Sequence, residues 1–333
     1  MAVTGGESEG QGLKYGERGE REGGRKMRPS KVMLAAGGLS AAGALAVSRM
    51  KPSTRAYIRL VGWHRPDLWL HGMFYLSRTL DYVKMGRRAV GIARFIPRRM
   101  RTHYAQTYHA KLVPLEEAQR LVTVGEDIEV RDLENIIPFR MCRDIVLQNP
   151  EAILACKCVC RMSSSDPCRQ DEVCILVGEP FVSYVLDHQP QFCRRVTPEE
   201  AVEILRSTDE EGCLHAAFFK DIAGGRFYAI CNCCSCCCVA IKSHRFAGVP
   251  FLGHSGLEPV FDAQKCDACS RCVKACHFEA LSLDWKEGPP RLDREACMGC
   301  GSCRSACPQG AVELVEAPGR PAPLRLEQLL AAK

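Results

Sequence analysis

Residues 266–276 read Cys266-Asp-Ala-Cys269-Ser-Arg-Cys272-Val-Lys-Ala-Cys276, and residues 297–308 repeat the pattern as Cys297-Met-Gly-Cys300-Gly-Ser-Cys303-Arg-Ser-Ala-Cys307-Pro308. Cysteines at i, i+3 and i+6 let one tight loop present three thiolates to three corners of a cubane iron–sulfur cluster, while the fourth opens a helix and points toward the other half of the duplication. The repeats are therefore expected to interlock. Cluster one would take Cys266, Cys269, Cys272 and Cys307, and cluster two would take Cys297, Cys300, Cys303 and Cys276. Each repeat also closes on a short strand-like run, Ala280–Leu283 and Ala311–Leu314. Two zinc ribbons are the competing reading, but they need CxxC pairs at longer separations.

These motifs resemble the bacterial two-cluster ferredoxin family over about 50 residues. The resemblance implies a (β-α)2 dicluster fold over residues 256–318, two 4Fe–4S clusters and one-electron transfer. One departure is His277, which stands where the family has the proline that Pro308 supplies in the second repeat.

The whole chain has 22 cysteines in 333 residues, which first suggests a disulfide framework. The distribution opposes that. The cysteines begin only at Cys142, bunch at spacings of one to four residues and, where most regular, follow the period of metal ligands. Close neighbours are badly placed to bridge each other, because a disulfide needs Cα atoms about 4.4–6.8 Å apart with suitably directed side chains. Thiolate-bound metal in a reducing cytoplasm is the better reading.

Upstream of the ferredoxin-like motif lie Cys156-Lys-Cys158-Val-Cys160-Arg161, then Cys168 and Cys174, and later Cys231-Asn-Cys233-Cys234-Ser-Cys236-Cys237-Cys238. Adjacent side chains point in different directions, so the six cysteines of the last run cannot all be inert core. Cys158, Cys160, Cys168, Cys174, Cys231, Cys233, Cys234, Cys236, Cys237 and Cys238 are candidate ligands of an additional Fe–S or other metal centre. Cys158, Cys160, Cys168 and Cys174 would close one four-thiolate site; alternatively both cysteine segments converge on one centre, with His215 as ligand or proton donor. Against that role, a histidine among apolar residues is usually a hydrogen-bonded core residue, and Cys142, Cys193 and Cys213 read as packed free thiols. No GxGxxG unit follows a clear strand, so nothing supports a nucleotide or flavin site.

The words ENIIPFRMCRDIVLQNPEAILACKCVCR, DEVCILVGEPF and GCLHAAFFKDIAGGRFYAICNCCSCCC resemble prokaryotic 4Fe–4S dicluster proteins that couple such a cysteine-rich domain to a C-terminal ferredoxin, over about residues 112–316. Arg161, His215 and the ICNCC run are the positions carried over. Val159 and Val239-Ala240 depart from that group's pattern.

Residues 1–30 carry many Gly and charged residues and almost no large apolar ones, so they are expected to be a disordered tail. Val32 to Val47 is uncharged and follows Lys26, Arg28 and Lys31, yet it is short for a spanning helix and rich in Gly and Ala. A membrane anchor or interfacial helix, a packed small-residue helix and an export signal compete for it. From Ser48 to Arg101 thirteen Lys and Arg face only Asp67 and Asp81, with Trp63, Trp69, Leu70, Met73, Phe74, Tyr75 and Leu76 set among them. That pattern reads as basic amphipathic helices able to face lipid phosphates or cover a partner subunit.

The expected fold class is α+β. A helical, basic region at 31–110 is a candidate membrane anchor. A mixed α/β cysteine-rich domain at 111–247 precedes the dicluster domain at 256–318 and a tail at 319–333. Within 111–247 the pattern predicts a helix at Leu115–Val122, a strand at Ile128–Val130, a helix at Leu133–Leu147 and a capped helix start at Thr197-Pro198-Glu199-Glu200. The expected function is electron transfer to redox partner proteins, in the cytoplasm or on the inner face of its membrane, with no nucleic-acid partner. A reductase working at the middle-domain centre and a thiol redox sensor are the rivals.

Overall fold

In the computed structural model the described residues are 48–93, 95–130, 133, 135–137, 145–168, 172–283 and 288–331. Val32 to Val47, with its three competing readings, lies outside them, as does Cys142. The chain divides into two compact units, Met1–Met50 and Lys51–Lys333, and everything below concerns the second.

Four helices come first: α1 Pro52–Val61, α2 Pro66–Ser77, α3 Thr79–Ala93 and α4 Arg98–Thr107. Then follow β1 Tyr108–Val113, α5 Leu115–Thr123, β2 Ile128–Val130, β3 Ile145–Leu147, β4 Ile153–Lys157, α6 Val159–Met162, β5 Glu172–Val177 and α7 Phe181–His188. The middle region ends with β6 Cys193–Arg195, α8 Pro198–Glu210, β7 Leu214–Lys220, β8 Phe227–Cys233, α9 Val239–Ala247 and β9 Leu252–Gly253. Seven strands form one sheet in the order β6-β4-β5-β8-β7-β1-β9, antiparallel throughout except for the β1–β9 pair.

Both faces of the sheet are covered, and the two-residue period of a strand sorts its side chains between them. Leu214, Ala216 and Phe218 of β7 join a core with Tyr57 of α1, Tyr75 and Leu76 of α2, Tyr184 of α7 and Ile241 of α9. Ala217 and Phe219 of the same strand join a second core with Leu121 of α5 and Leu205 of α8. The basic N-terminal helices are thus one wall of the protein. Tyr75 and Leu76 are buried, Trp69 and Met73 pack against the same core, and Trp63, Leu70 and Phe74 are exposed. Among the described residues no helix is long and apolar enough to cross a membrane.

Helix α8 starts as its sequence predicts: Thr197 Oγ1 accepts the Glu200 N–H at 3.2 Å, and the Glu200 carboxylate accepts the Thr197 N–H at 3.0 Å. Helix α5 and strand β2 also lie where expected. The predicted helix at Leu133–Leu147 is corrected, because Ile145–Leu147 is strand β3 paired antiparallel with β2. Two of its three residues are β-branched, and pairing with β2 overrides the helical spacing read from the sequence.

The C-terminal module comprises β10 Leu257–Phe261, α10 Arg271–Ala275, β11 Leu281–Ser282, β12 Arg291–Leu292, α11 Ser302–Ser305 and β13 Val312–Glu316. Strand β10 pairs antiparallel with β13, and β11 with β12. Within the segment expected as a tail, helix α12 Leu326–Ala331 buries Leu326, whose N–H donates to Glu117 at 3.0 Å.

Candidate metal centres

Each C-terminal loop starts with the same device. Asp262 Oδ1 accepts the Gln264 N–H at 2.9 Å and Asp293 Oδ1 accepts the Glu295 N–H at 2.9 Å, four residues before Cys266 and Cys297 respectively. Ala268 and Ser270 hold positive φ of 55° and 64°, and the matching Gly299 and Gly301 hold 64° and 89°. Past the short helices, the Ala280 N–H donates to Cys276 Sγ at 3.2 Å and the Ala311 N–H to Cys307 Sγ at 3.3 Å. Two small cavities result. One is lined by Cys266, Cys269, Cys272 and Cys307, the other by Cys276, Cys297, Cys300 and Cys303. Four thiols around each cavity, with a backbone N–H aimed at the sulfur contributed by the other repeat, fit the donor set of a cubane.

The middle-domain cysteines are ordered by strand register. Cys193 of β6 pairs with Cys156 of β4, Cys156 with Cys174 of β5, and Cys174 with Cys231 of β8. Four cysteines thus form one row across four neighbouring strands, on the face that carries α1–α4. Strands β4 and β8 run in the same direction, so the segments leaving them, with Cys158 and Cys160 on one and Cys234 to Cys238 on the other, emerge at one end of the sheet.

Above the row lies a chamber of about 440 Å³, roofed by α3 and walled by Tyr75, Tyr108 and Tyr228. Six of its thiols perturb one another's ionisation in a closed ring: Cys158 with Cys160, Cys160 with Cys238, then Cys233, Cys231, Cys174 and back to Cys158. Interaction with Cys160, then with Cys174, holds the Cys158 thiol far below the ordinary range despite burial. The same contact with Cys158 pushes Cys160 up. Burial keeps Tyr75 and Tyr228 protonated, and their hydroxyls lie 3.0 Å apart. Lys220 Nζ lies 4.8 Å from the Tyr108 ring centroid and 3.7 Å from Asp221 Oδ1.

Four cysteines stand apart from the ring. Cys168, Cys234, Cys236 and Cys237 place their sulfurs within 4.8 Å of one another. The grouping of Cys158, Cys160, Cys168 and Cys174 as one site is therefore divided, with Cys168 joining the later run. The two cysteine segments do converge, but without His215. That histidine is buried, with Nδ1 at 2.6 Å from Asn232 Oδ1 and Nε2 at 3.3 Å from Asp209 Oδ1. Cys213 is buried as expected, and Arg161 Nη2 donates to its sulfur at 3.3 Å.

Sequence reading passed over Cys156 and underrated Cys193, both on the chamber wall. The two-residue spacing Cys156-Lys-Cys158, a strand period, was the available signal for Cys156. It also gave no weight to Arg87 on α3, whose Nη2 donates to the carbonyls of Cys160 at 2.6 Å and Cys237 at 2.7 Å.

The C-terminal cavities adjoin this assembly. Phe278 and Met298 line the cavity of Cys276, Cys297, Cys300 and Cys303 and also belong to the core that contains Cys233 and Cys238. His244 of α9, the helix that leaves Cys238, meets Phe278 edge-on with centroids 6.0 Å apart, and Arg245 pairs with Glu279. His277, replacing the expected proline, is buried against the Gly212 backbone, and burial lowers its pKa.

Residues 265–312 match the family model of the 4Fe-4S dicluster domain. The C-terminal module is thus a ferredoxin-type dicluster domain binding at least one 4Fe–4S cluster, and the chain is an iron–sulfur protein. No curated protein matches the chain.

Proposed function

We propose that this protein is an electron-transfer component with two 4Fe–4S clusters in its C-terminal module and a further iron–sulfur centre in the chamber. The observation that carries this reading is the pair of cavities, each lined by four cysteines drawn three from one repeat and one from the other. When bound, such clusters accept and release one electron at a time. Cys266, Cys269, Cys272 and Cys307 would hold one, and Cys297, Cys300, Cys303 and Cys276 the other. Four of the six thiols Cys158, Cys160, Cys174, Cys231, Cys233 and Cys238 would hold the chamber centre. Packed contacts through Phe278, His244 and α9 join the second cavity to Cys238. Anaerobic purification with iron and sulfide counting and EPR tests the assignment. About eight irons would mean that only the C-terminal module is loaded, about twelve would support a third cubane, and iron-free folded protein would end the reading. If the ring thiols all alkylate while iron stays near about eight, the chamber centre is ruled out.

A reductase is favoured by one observation, the size of the chamber, which lies in the range of about 300–1,000 Å³ typical of small-molecule sites and holds tyrosine hydroxyls beside the thiols. Cyanide or carbon monoxide added to reduced protein would shift the EPR signal of an iron with an open position. An unshifted signal rules this reading out.

Attachment to an anionic membrane surface would use the outer face of the N-terminal helices, where Ile92, Phe95 and Met100 are exposed among Arg88, Arg98 and Arg99. Co-sedimentation with anionic but not neutral vesicles, abolished by salt, is expected. Equal recovery with both would discard this attachment.

A further inference from the structure

The geometry points to a separate mononuclear zinc site formed by Cys168, Cys234, Cys236 and Cys237, distinct from the cluster-binding thiols. Zinc bound to four thiolates at about 2.3 Å sets its sulfurs about 3.8 Å apart along the edges of a tetrahedron. Here Cys168 Sγ lies 3.5 Å from Cys234 Sγ and 3.7 Å from Cys237 Sγ, with all four sulfurs within 4.8 Å of one another. A cubane cannot take this set, because each of its cysteines binds a different iron and the sulfurs must stand further apart. The chain contains its own control. Among the described residues no other three or more Cys, His, Asp or Glu come this close, although the eight cysteines around the two C-terminal cavities are all described.

A second observation points the same way. Arg161 is 1% exposed, and its Nε and Nη1 have no hydrogen-bond partner among the described residues. Its guanidinium lies beside Cys234 as well as donating to Cys213. A buried cation with unused donors is costly unless an anion sits next to it. Zinc with four thiolates carries two negative charges, and Arg161 offsets one of them. Arg87, donating to the Cys237 carbonyl at 2.7 Å, places a second cation near the site, and Cys237 precedes the N-terminus of α9, where negative charge is favoured.

The spacing also suits zinc. Cys234-Ser-Cys236-Cys237 contains a CxxC knuckle from Cys234 to Cys237, and Cys168 supplies the distant fourth ligand. The ion would pin the segment around Cys168 to the end of β8. Because Cys234 and Cys237 also line the chamber, it would close one side of the space in which the six-thiol ring lies.

The test uses the full chain, purified anaerobically without a metal-affinity tag, with zinc, iron and labile sulfide measured on the same sample. About one zinc per chain is expected, falling at least about tenfold in Cys168→Ser and Cys236→Ser while iron and sulfide stay unchanged. Protein produced with cobalt should show the ligand-field absorption of a tetrahedral thiolate complex, a wild-type readout that needs no variant to fold. Absence of zinc and of the cobalt bands would overturn the proposal, as would iron lost in parallel with either substitution. Failure of the electron-transfer reading looks different: iron near zero with zinc retained.

Discussion

Arg87 Nη2 donates to the carbonyl oxygen of Cys237 at 2.7 Å, and the same nitrogen reaches the Cys160 carbonyl at 2.6 Å. One cation on the roof helix therefore ties together two cysteine segments separated by more than seventy residues of chain. Its Nε also donates to Ser163 Oγ at 3.1 Å, so all of this binding energy is spent on the ends of the two loops.

Arg87→Gln should lower stability by about 2 kcal/mol, because hydrogen bonds to charged groups contribute about 1.5–3 kcal/mol and this site is only partly buried. Arg87→Lys should recover part of the loss, since an ammonium can donate to both carbonyls as Nη2 does but has no second nitrogen to replace the Nε bond to Ser163 Oγ. Denaturant titration of the three proteins decides this, and equal midpoints would show that the bridge contributes nothing.

Gly299→Ala should disable one C-terminal site and spare its twin. An added Cβ would fall on the Leu257 carbonyl oxygen and Ser255 Oγ, at a φ of +64° that side chains rarely adopt. EPR should then lose the signal of the cluster assigned to Cys297, Cys300, Cys303 and Cys276. In the first repeat Ala268 holds the equivalent conformation at a φ of 55°, so Ala268→Gly should stabilise the module by about 1 kcal/mol.

Gly86 lines the chamber from α3, and a Cβ placed there would meet nothing within 4 Å. Gly86→Leu should fill part of that volume and remove a helical glycine, raising stability by about 1 kcal/mol or more. It should also change the spectrum of a centre held by the six thiols. An unaltered spectrum with full iron content would place that centre elsewhere.

Stability should fall as pH drops from about 6.5 to about 4. Burial pushes the pKa of His109 and of His254 down to about 4 from the ordinary imidazole range. Between those values the unfolded chain binds the protons that the folded chain refuses, so stability rises with pH through this window and levels off above it. The two sites contribute a slope of up to about two protons. Chemical denaturation at several pH values measures it, and His109→Gln should flatten the profile; an unchanged profile would mean that His109 titrates normally in the fold.

Local chemistry was readable in advance wherever a few consecutive residues decide it. The capping box at Thr197 and Glu200 closes as its spacing demands, because every partner lies within one turn. The same holds for the Cys-x2-Cys-x2-Cys loops, whose tight turns gather three thiols without outside help. Where a segment has no preference strong enough to resist its surroundings, reading along the chain failed. Ile145–Leu147 became a strand only because Ile128–Val130 was there to pair with it.

From order along the chain alone came the iron–sulfur character of the protein, the duplicated C-terminal module and the exchange of one cysteine between its halves, since these follow from spacings of two or three residues. Folding alone settled how the middle thiols divide. The row Cys193, Cys156, Cys174 and Cys231 depends on register between strands distant in sequence, and Cys168 meets Cys234, Cys236 and Cys237 across a gap of more than sixty residues. Hydrogen-bonded pairing is non-local, and a shift of one residue would turn that row away from the chamber.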